Sequence, residues 1–238
     1  GFVLSKDEDI EDLFAALNIT SSETNKLIQK EIELTSESRL INCFLDYINL
    51  IGKKFPSTLE LAFQARICYI NSFNISKSQI INNPDKEILK WLESEYELFK
   101  TIENVVYKDI LQSSFSSVEE LVHTANSILN RRKSRAGKSL EHHLEEMFNV
   151  FELTFQTQTI IEGNKKPDFL FPSVEAYNDP IFDSKKLIFL ASKTTCKDRW
   201  RQILNEADRI KIKYLFTLQQ GISKNQLEEM NKYGVKLV

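Results

Sequence analysis

Cysteine is scarce in this chain: Cys43, Cys68 and Cys196 are the only three among 238 residues. Few, scattered and odd in number, they predict reduced thiols rather than a disulfide framework. No CxxC or Cys/His spacing of the kind that holds zinc occurs. Long apolar runs are lacking as well. None approaches the ~20 residues that a bilayer-spanning helix needs, and the opening from Gly1 to Asp9 has no basic stretch like that of a secretory signal. These absences predict a cytoplasmic protein with no membrane partner. There is no excess of positive charge: the formal net charge is −3, which argues against a general nucleic-acid coat protein. A local basic stripe can still steer phosphate binding on an acidic protein, and Arg131-Arg132-Lys133-Ser134-Arg135-Ala136-Gly137-Lys138 is one. No internal repeat or low-complexity tract is present. The start at Gly1 rather than Met leads us to expect a chain that begins late, and a last apolar run that stops inside its expected strand leads us to expect missing C-terminal residues.

What is present is a globular composition, with 42% hydrophobic and 27% charged residues, enough for one large core or two smaller ones. The first half reads helical. Ser36 to Ile51 and Thr58 to Phe73 carry apolar residues at helical spacing. Pro84 opens a long helix with Ile88, Trp91, Leu98, Phe99, Ile102 and Val105 on one face. Ser117 with Glu120 three residues later predicts a capping box starting a helix through Leu129. After the basic stripe, a helix from Ser139 to Phe151 is followed by β-like runs at 155–161, 169–171, 187–195, 214–218 and 235–238. Helices at about 198–211 and 223–232 fall between the later runs. This order predicts an α/β fold with a mixed sheet flanked by helices and a helical N-terminal part. The change of character divides the chain into 1–125 and 126–238.

Lys165-Lys166-Pro167-Asp168 leads into one apolar run, and Lys193 ends another. Glu206 lies 13 residues further on, flanking the apolar face of a predicted helix. Taken singly, Asp168 is a turn residue, Lys193 a strand-end cation and Glu206 a solvated charge. Together they form a set that suits phosphodiester hydrolysis. Carboxylates hold a hard cation, and an ammonium can hold the phosphate or orient the attacking water. Lys197-Asp198-Arg199 follows closely. Arg or Lys suits guanine O6 and N7, and a carboxylate accepts from cytosine N4, so the triplet can read G·C pairs. The bland alternative is a helix N-terminus where Asp198 complements the dipole, but two cations do not suit such an end.

The segments 132–141, 163–173 and 193–208 together resemble the catalytic domain of the EcoRII family of restriction endonucleases, over about residues 127–238. The resemblance implies the PD-(D/E)xK nuclease fold and Mg2+-dependent cleavage of double-stranded DNA at a short palindrome with CC and GG flanks. It places the active site on Asp168, Lys193 and Glu206, with Asp168 and Glu206 as metal ligands and Glu141 as a helical carboxylate close by. Ala191 stands where many enzymes of this fold carry a second acid, which Glu206 replaces. Lys197, Asp198 and Arg199 match the family's base-reading triplet. The helical first part resembles that of the shorter members, where it supports dimerisation and contacts the central base pair. Some relatives flip central bases; Arg66 with Phe63 or Tyr69 are the local candidates here. Arg132 and Arg135 of the stripe are candidate phosphate contacts. A palindromic target implies a homodimer, or a higher oligomer, whose symmetry matches the site. The alternatives are a catalytically silent, sequence-specific DNA-binding protein on the same fold, and a nuclease of this fold with a different DNA substrate. Intact Asp168, Lys193 and Glu206 argue against the first, and the triplet argues against the second.

Overall fold

In the computed structural model, which describes residues 35–196 and 199–238, helices come first and a sheet follows. The helices are α1 (Ser36–Ile51), α2 (Thr58–Phe73), the short α3 (Lys77–Asn82), α4 (Pro84–Val106), the short α5 (Lys108–Gln112) and α6 (Val118–Val150). Thr35 and Ser57 cap α1 and α2, accepting from the amides of Ser38 and Glu60. Pro84 begins α4, where its missing amide proton costs nothing. Leu61, Ala65, Leu98, Phe99 and Ile102 pack with Phe44, Tyr47 and Ile48 into a helical core.

Two expectations fail within these helices. Cys43 on α1 and Cys68 on α2 are joined in a disulfide, with Cα atoms 5.7 Å apart. They lie 25 residues apart in sequence, and only the packing of the two helices brings them together. Only Cys196 is free, and it is buried. The basic stripe is also no break: α6 runs unbroken from Val118 to Val150, with Gly137 inside it. Its arginines, lysines and alanine are good helix formers, and Arg132, Arg135 and Lys138 each find a carboxylate. The capping box at its start is half made. Ser117 accepts from the Glu120 amide, but the Glu120 carboxylate takes the Ser116 amide and hydroxyl instead.

The sheet has the order β1 (Gln156–Thr157), β2 (Phe169–Phe171), β3 (Ile188–Lys193), β4 (Lys213–Thr217), β5 (Val235–Leu237). The first three strands pair antiparallel and the last three parallel, so the sheet is mixed. Between them lie α7 (Val174–Asn178), a 3-10 segment Arg199–Asn205, and α8 (Lys224–Lys232). The strand expected over 155–161 shrinks to two residues because Gln158 turns to φ 52°. The helix expected over 198–211 is the 3-10 segment followed by a turn at Ala207, φ 51°. Gly234 makes the turn into β5 at φ 76°; a Cβ there would lie 2.7 Å from the Lys211 carbonyl oxygen.

Side chains alternate across the strands. Leu170, Phe189, Ala191 and Leu215 face a core with Trp200, Ile203, Tyr177 and Met230. Phe169 and Leu190 face the other way, against Leu140, Leu144 and Met147 of α6 and Ile88 and Trp91 of α4. One core therefore joins the helices to the sheet, and the expected division at residue 125 falls inside α6.

A buried polar network locks α6 to its neighbours. Glu95 on α4 has no exposure and binds Arg135 Nη1 at 2.9 Å and Ser139 Oγ at 2.7 Å. His143 Nε2 lies 2.9 Å from Glu95 Oε2, the oxygen that also takes the Ser139 hydroxyl, in ion-pair range though poorly aligned for a hydrogen bond. Arg66 Nη1 is 3.2 Å from His143 Nδ1 and, having only hydrogens to give, makes that nitrogen the acceptor. The imidazole is then the neutral Nε2–H tautomer, and burial lowers its pKa accordingly. Burial alone would raise the Glu95 carboxyl, but His143, Ser139 and Arg135 more than offset it and hold it below the usual carboxylate range. A depressed carboxyl contributes stability above its unfolded pKa and loses it as pH falls through its folded one. Glu95→Ala strands Arg135 and should lower urea-measured stability at pH 7 by about 3–5 kcal/mol. Its deficit should shrink on acidification below the ordinary carboxylate range. A loss below ~1 kcal/mol at pH 7 would show that the network is not holding α6.

Candidate active site

β2 begins at the end of the sheet where β3 finishes, so residues flanking them meet there. Asp168 precedes Phe169 and Lys193 closes β3. Extending the alternation puts Asp168 in line with Leu170, and Lys193 in line with Ala191, on the same face. Lys193 Nζ lies 2.6 Å from Asp168 Oδ2, which also accepts from the Ser192 amide at 2.9 Å. Asp168 is 9% exposed, so the ion pair and the amide together replace the water its second oxygen loses. The other oxygen, Oδ1, is 3.3 Å from Gln158 Nε2.

Gln158 was not singled out from the sequence. Its amide also reaches Glu141 Oε2 at 3.4 Å, and Lys138 Nζ binds the same oxygen at 2.7 Å. Glu141 on α6 is thus brought beside Asp168 through Gln158. Nothing in a threonine-flanked glutamine signals this; its position depends on the left-handed turn that ends β1.

Glu206 sits one residue beyond the 3-10 segment, not on a helix. Burial pushes its carboxyl pKa up; Lys193 pulls it down and Asp168 pushes it further up. The structure therefore brings Asp168, Lys193 and Glu206 within one another's field, with Glu141 at the rim. Among the described residues no group of three or more His, Cys, Asp or Glu converges on one point. Two carboxylates whose charges oppose one another nevertheless supply the oxygen donors that a hard divalent cation takes. The all-oxygen donor set does not suit a soft metal.

Lys197 and Asp198 lie outside the described residues. Arg199 opens the 3-10 segment, exposed, its amide donating to the Cys196 carbonyl at 2.7 Å. The Cys196 amide donates to Gln219 Oε1 at 2.7 Å, which pins the loop leaving β3.

The structure gives each of the other candidate DNA contacts a partner within the protein. Arg66 is 5% exposed and engaged with His143, Glu146 and the Trp91 ring, so its guanidinium is structural. Arg132 grips Glu103 with Nε and Nη2, at 2.9 Å and 2.6 Å. Arg135 lies on Glu95 and over the rings of Tyr96 and Phe99. Spacing in the stripe could not reveal that α4 supplies a glutamate for each of these two. Of the aromatics beside Arg66, Phe63 is half exposed and Tyr69 buried.

Residues 99–238 match the family model described as EcoRII C terminal. Over 187 residues the chain is 51% identical to the type II restriction enzyme EcoRII of Escherichia coli, covering 78% of this chain and 44% of that protein. The chain thus spans less than half the length of that curated relative. Two solved structures share the fold. The restriction endonuclease PspGI, in a substrate-DNA complex, matches with a TM-score of 0.62 at 22% identity over 77% of each chain. Metal-depleted Ecl18kI, in complex with uncleaved, modified DNA, matches with a TM-score of 0.64 at 19% identity over 85% of this chain and 74% of that one.

The geometry makes one further demand on Glu206. Its charge is disfavoured by burial and by Asp168 when no cation lies between them. Glu206→Gln should therefore raise the melting temperature in EDTA at pH 8 by about 2–4 °C, the shift that ~1 kcal/mol makes in a domain of this size. A lower melting temperature would show that Lys193 already satisfies the charge.

Proposed function

Since this chain belongs to the EcoRII C-terminal family, we propose that it is a type II site-specific deoxyribonuclease hydrolysing both strands of duplex DNA. The observation that carries this reading is the Lys193–Asp168 contact of 2.6 Å at the sheet end, with Glu206 in the field of both. We assign Mg2+ as the cofactor, held by Asp168 and Glu206 with Glu141 at the margin. Bound there, such an ion would neutralise phosphate charge and activate water for attack. The chain's own residues do the rest. The Ser192 amide and Lys193 hold the Asp168 carboxylate in place. The Lys193 ammonium, 22% exposed, is open enough to hold a non-bridging oxygen of the scissile phosphate and to orient the attacking water.

For specificity we assign Lys197, Asp198 and Arg199 to the CC and GG flanks of a short palindrome. Arg199 leaves the sheet six residues after Lys193, so base reading and chemistry share one loop. A staggered cut of a palindrome needs one site per strand, so the active form is a homodimer, with residues 1–125 supporting dimerisation and DNA contact. No described helix is long and apolar enough to cross a membrane, and we place the enzyme in the cytoplasm with its DNA.

Plasmid digestion with Mg2+, with the cut ends sequenced, tests the reading. Wild-type protein should give discrete fragments ending at CC/GG-flanked sites, and Lys193→Ala should lose about 10^2–10^3-fold or more in rate. Tight, site-specific binding without cleavage would identify a silent DNA-binding protein instead. Random fragments would identify a nuclease without this specificity. Arg199→Ala should lose about 1–3 kcal/mol of discrimination at one G·C position, read as relative cleavage of singly substituted sites. Equal loss across all positions would make it a phosphate contact.

A further inference from the structure

Glu206 lies just past the end of the 3-10 segment, and the last backbone bond of that segment, from its amide to the Ile203 carbonyl at 3.1 Å, leaves the direction of the chain beyond it to the turn that follows. The turn that follows it is held by side chains at four successive residues. The Ala207 carbonyl accepts from Lys213 Nζ at 3.2 Å, and the Ile210 carbonyl accepts from the same ammonium at 2.9 Å. Between them, the Asp208 amide donates to Glu162 Oε1 at 2.6 Å and the Arg209 amide donates to the Tyr177 hydroxyl at 3.2 Å. Tyr177 in turn donates to Glu162 Oε1 at 2.6 Å, which joins the two middle contacts. The Arg209 side chain then gathers the carbonyls of Ala176, Tyr177, Asp179 and Phe182.

Ala207, fully buried and left-handed at φ 51°, is the residue these contacts force into place. Lys213 is 5% exposed and projects from β4, whose neighbour β3 carries Lys193. A buried ammonium is a poor choice where bulk alone is needed, because an apolar side chain of similar length avoids its desolvation. What the ammonium supplies is direction: it ties the turn to the strand beside the one that carries Lys193.

We infer that Lys213, together with Glu162 and Tyr177, forms a clamp that positions the Glu206 carboxylate against Asp168. These are positioning residues, acting through Glu206 rather than touching DNA or the metal. The inference rests on the reading of Glu206 as a metal ligand in the proposed nuclease. Groups behind a ligand typically change metal affinity by 10–100-fold when removed.

The test is a Mn2+ titration of the full chain without DNA, followed by the electron paramagnetic resonance signal of free Mn2+. It compares wild type, Lys213→Met, Glu206→Ala and the double variant, with circular dichroism confirming the fold of each. Glu206→Ala should weaken Mn2+ binding, and Lys213→Met should weaken it about 10–100-fold. The double variant should be no weaker than Glu206→Ala alone, because the clamp has nothing left to position. If Lys213→Met binds Mn2+ as wild type does, or still weakens binding in the Glu206→Ala background, the clamp is merely structural and the inference fails. If Glu206→Ala alone leaves Mn2+ affinity unchanged, the ligand assignment beneath it fails instead. Should Lys213→Met not fold, Tyr177→Phe, which removes a single hydroxyl from the same clamp, takes its place in the cycle with the same expected non-additivity.

Discussion

Glu95 lies between α4 and α6 with no exposure, and the placement of everything further along α6 depends on its charge being matched. Arg135, Ser139 and His143 meet it from three successive turns of α6, and Arg66 extends the contact to α2. An ionised group in such a place tolerates little displacement, because each lost partner leaves a buried charge exposed to a low dielectric. The apolar face of Leu140, Leu144 and Met147 then settles on the sheet, and Glu141 arrives beside Asp168. The polar lock fixes the register, and the hydrophobic face supplies the bulk of the attraction.

Most of the helices were legible because burial at 3.6-residue spacing is a local pattern. Trp91, Leu98 and Ile102 are buried where their spacing puts them. What failed to show depends on pairs distant in sequence. Cys43 and Cys68 look unrelated until two helices pack. Arg132 and Arg135 look like a phosphate-binding stripe until Glu103 and Glu95 come into reach from a helix some 30 to 40 residues earlier. The break after β1 and the turn after the 3-10 segment depend on left-handed residues, Gln158 and Ala207, that composition does not mark.

The candidate site shows the same division. Asp168 and Lys193 were legible because each flanks an apolar run, and the antiparallel pairing of β2 with β3 brings them together at one sheet end. Glu206 was legible as a residue but not in its setting, since a helix was expected where a clamped turn occurs. Gln158, whose amide touches both Asp168 and Glu141, gave no signal at all. The site gathers carboxylates whose charges oppose one another, an arrangement that lowers stability and that function explains better than folding does.

The unbroken course of α6 bears on how sequences like this one can change length. At about 1.5 Å per residue its 33 residues form a rod of roughly 50 Å, and each residue turns by about 100°. Inserting or deleting one residue between Arg135 and Lys138 would swing Lys138 and Glu141, together with Ser139 and His143, to another side of the rod while Glu103 and Glu95 held Arg132 and Arg135 in place. A linker at this position would absorb such an event, whereas this helix transmits it to the carboxylate at the site. Point substitutions in the segment are therefore far better tolerated than changes in its length, and natural variation in chain length belongs in the loops between the strands.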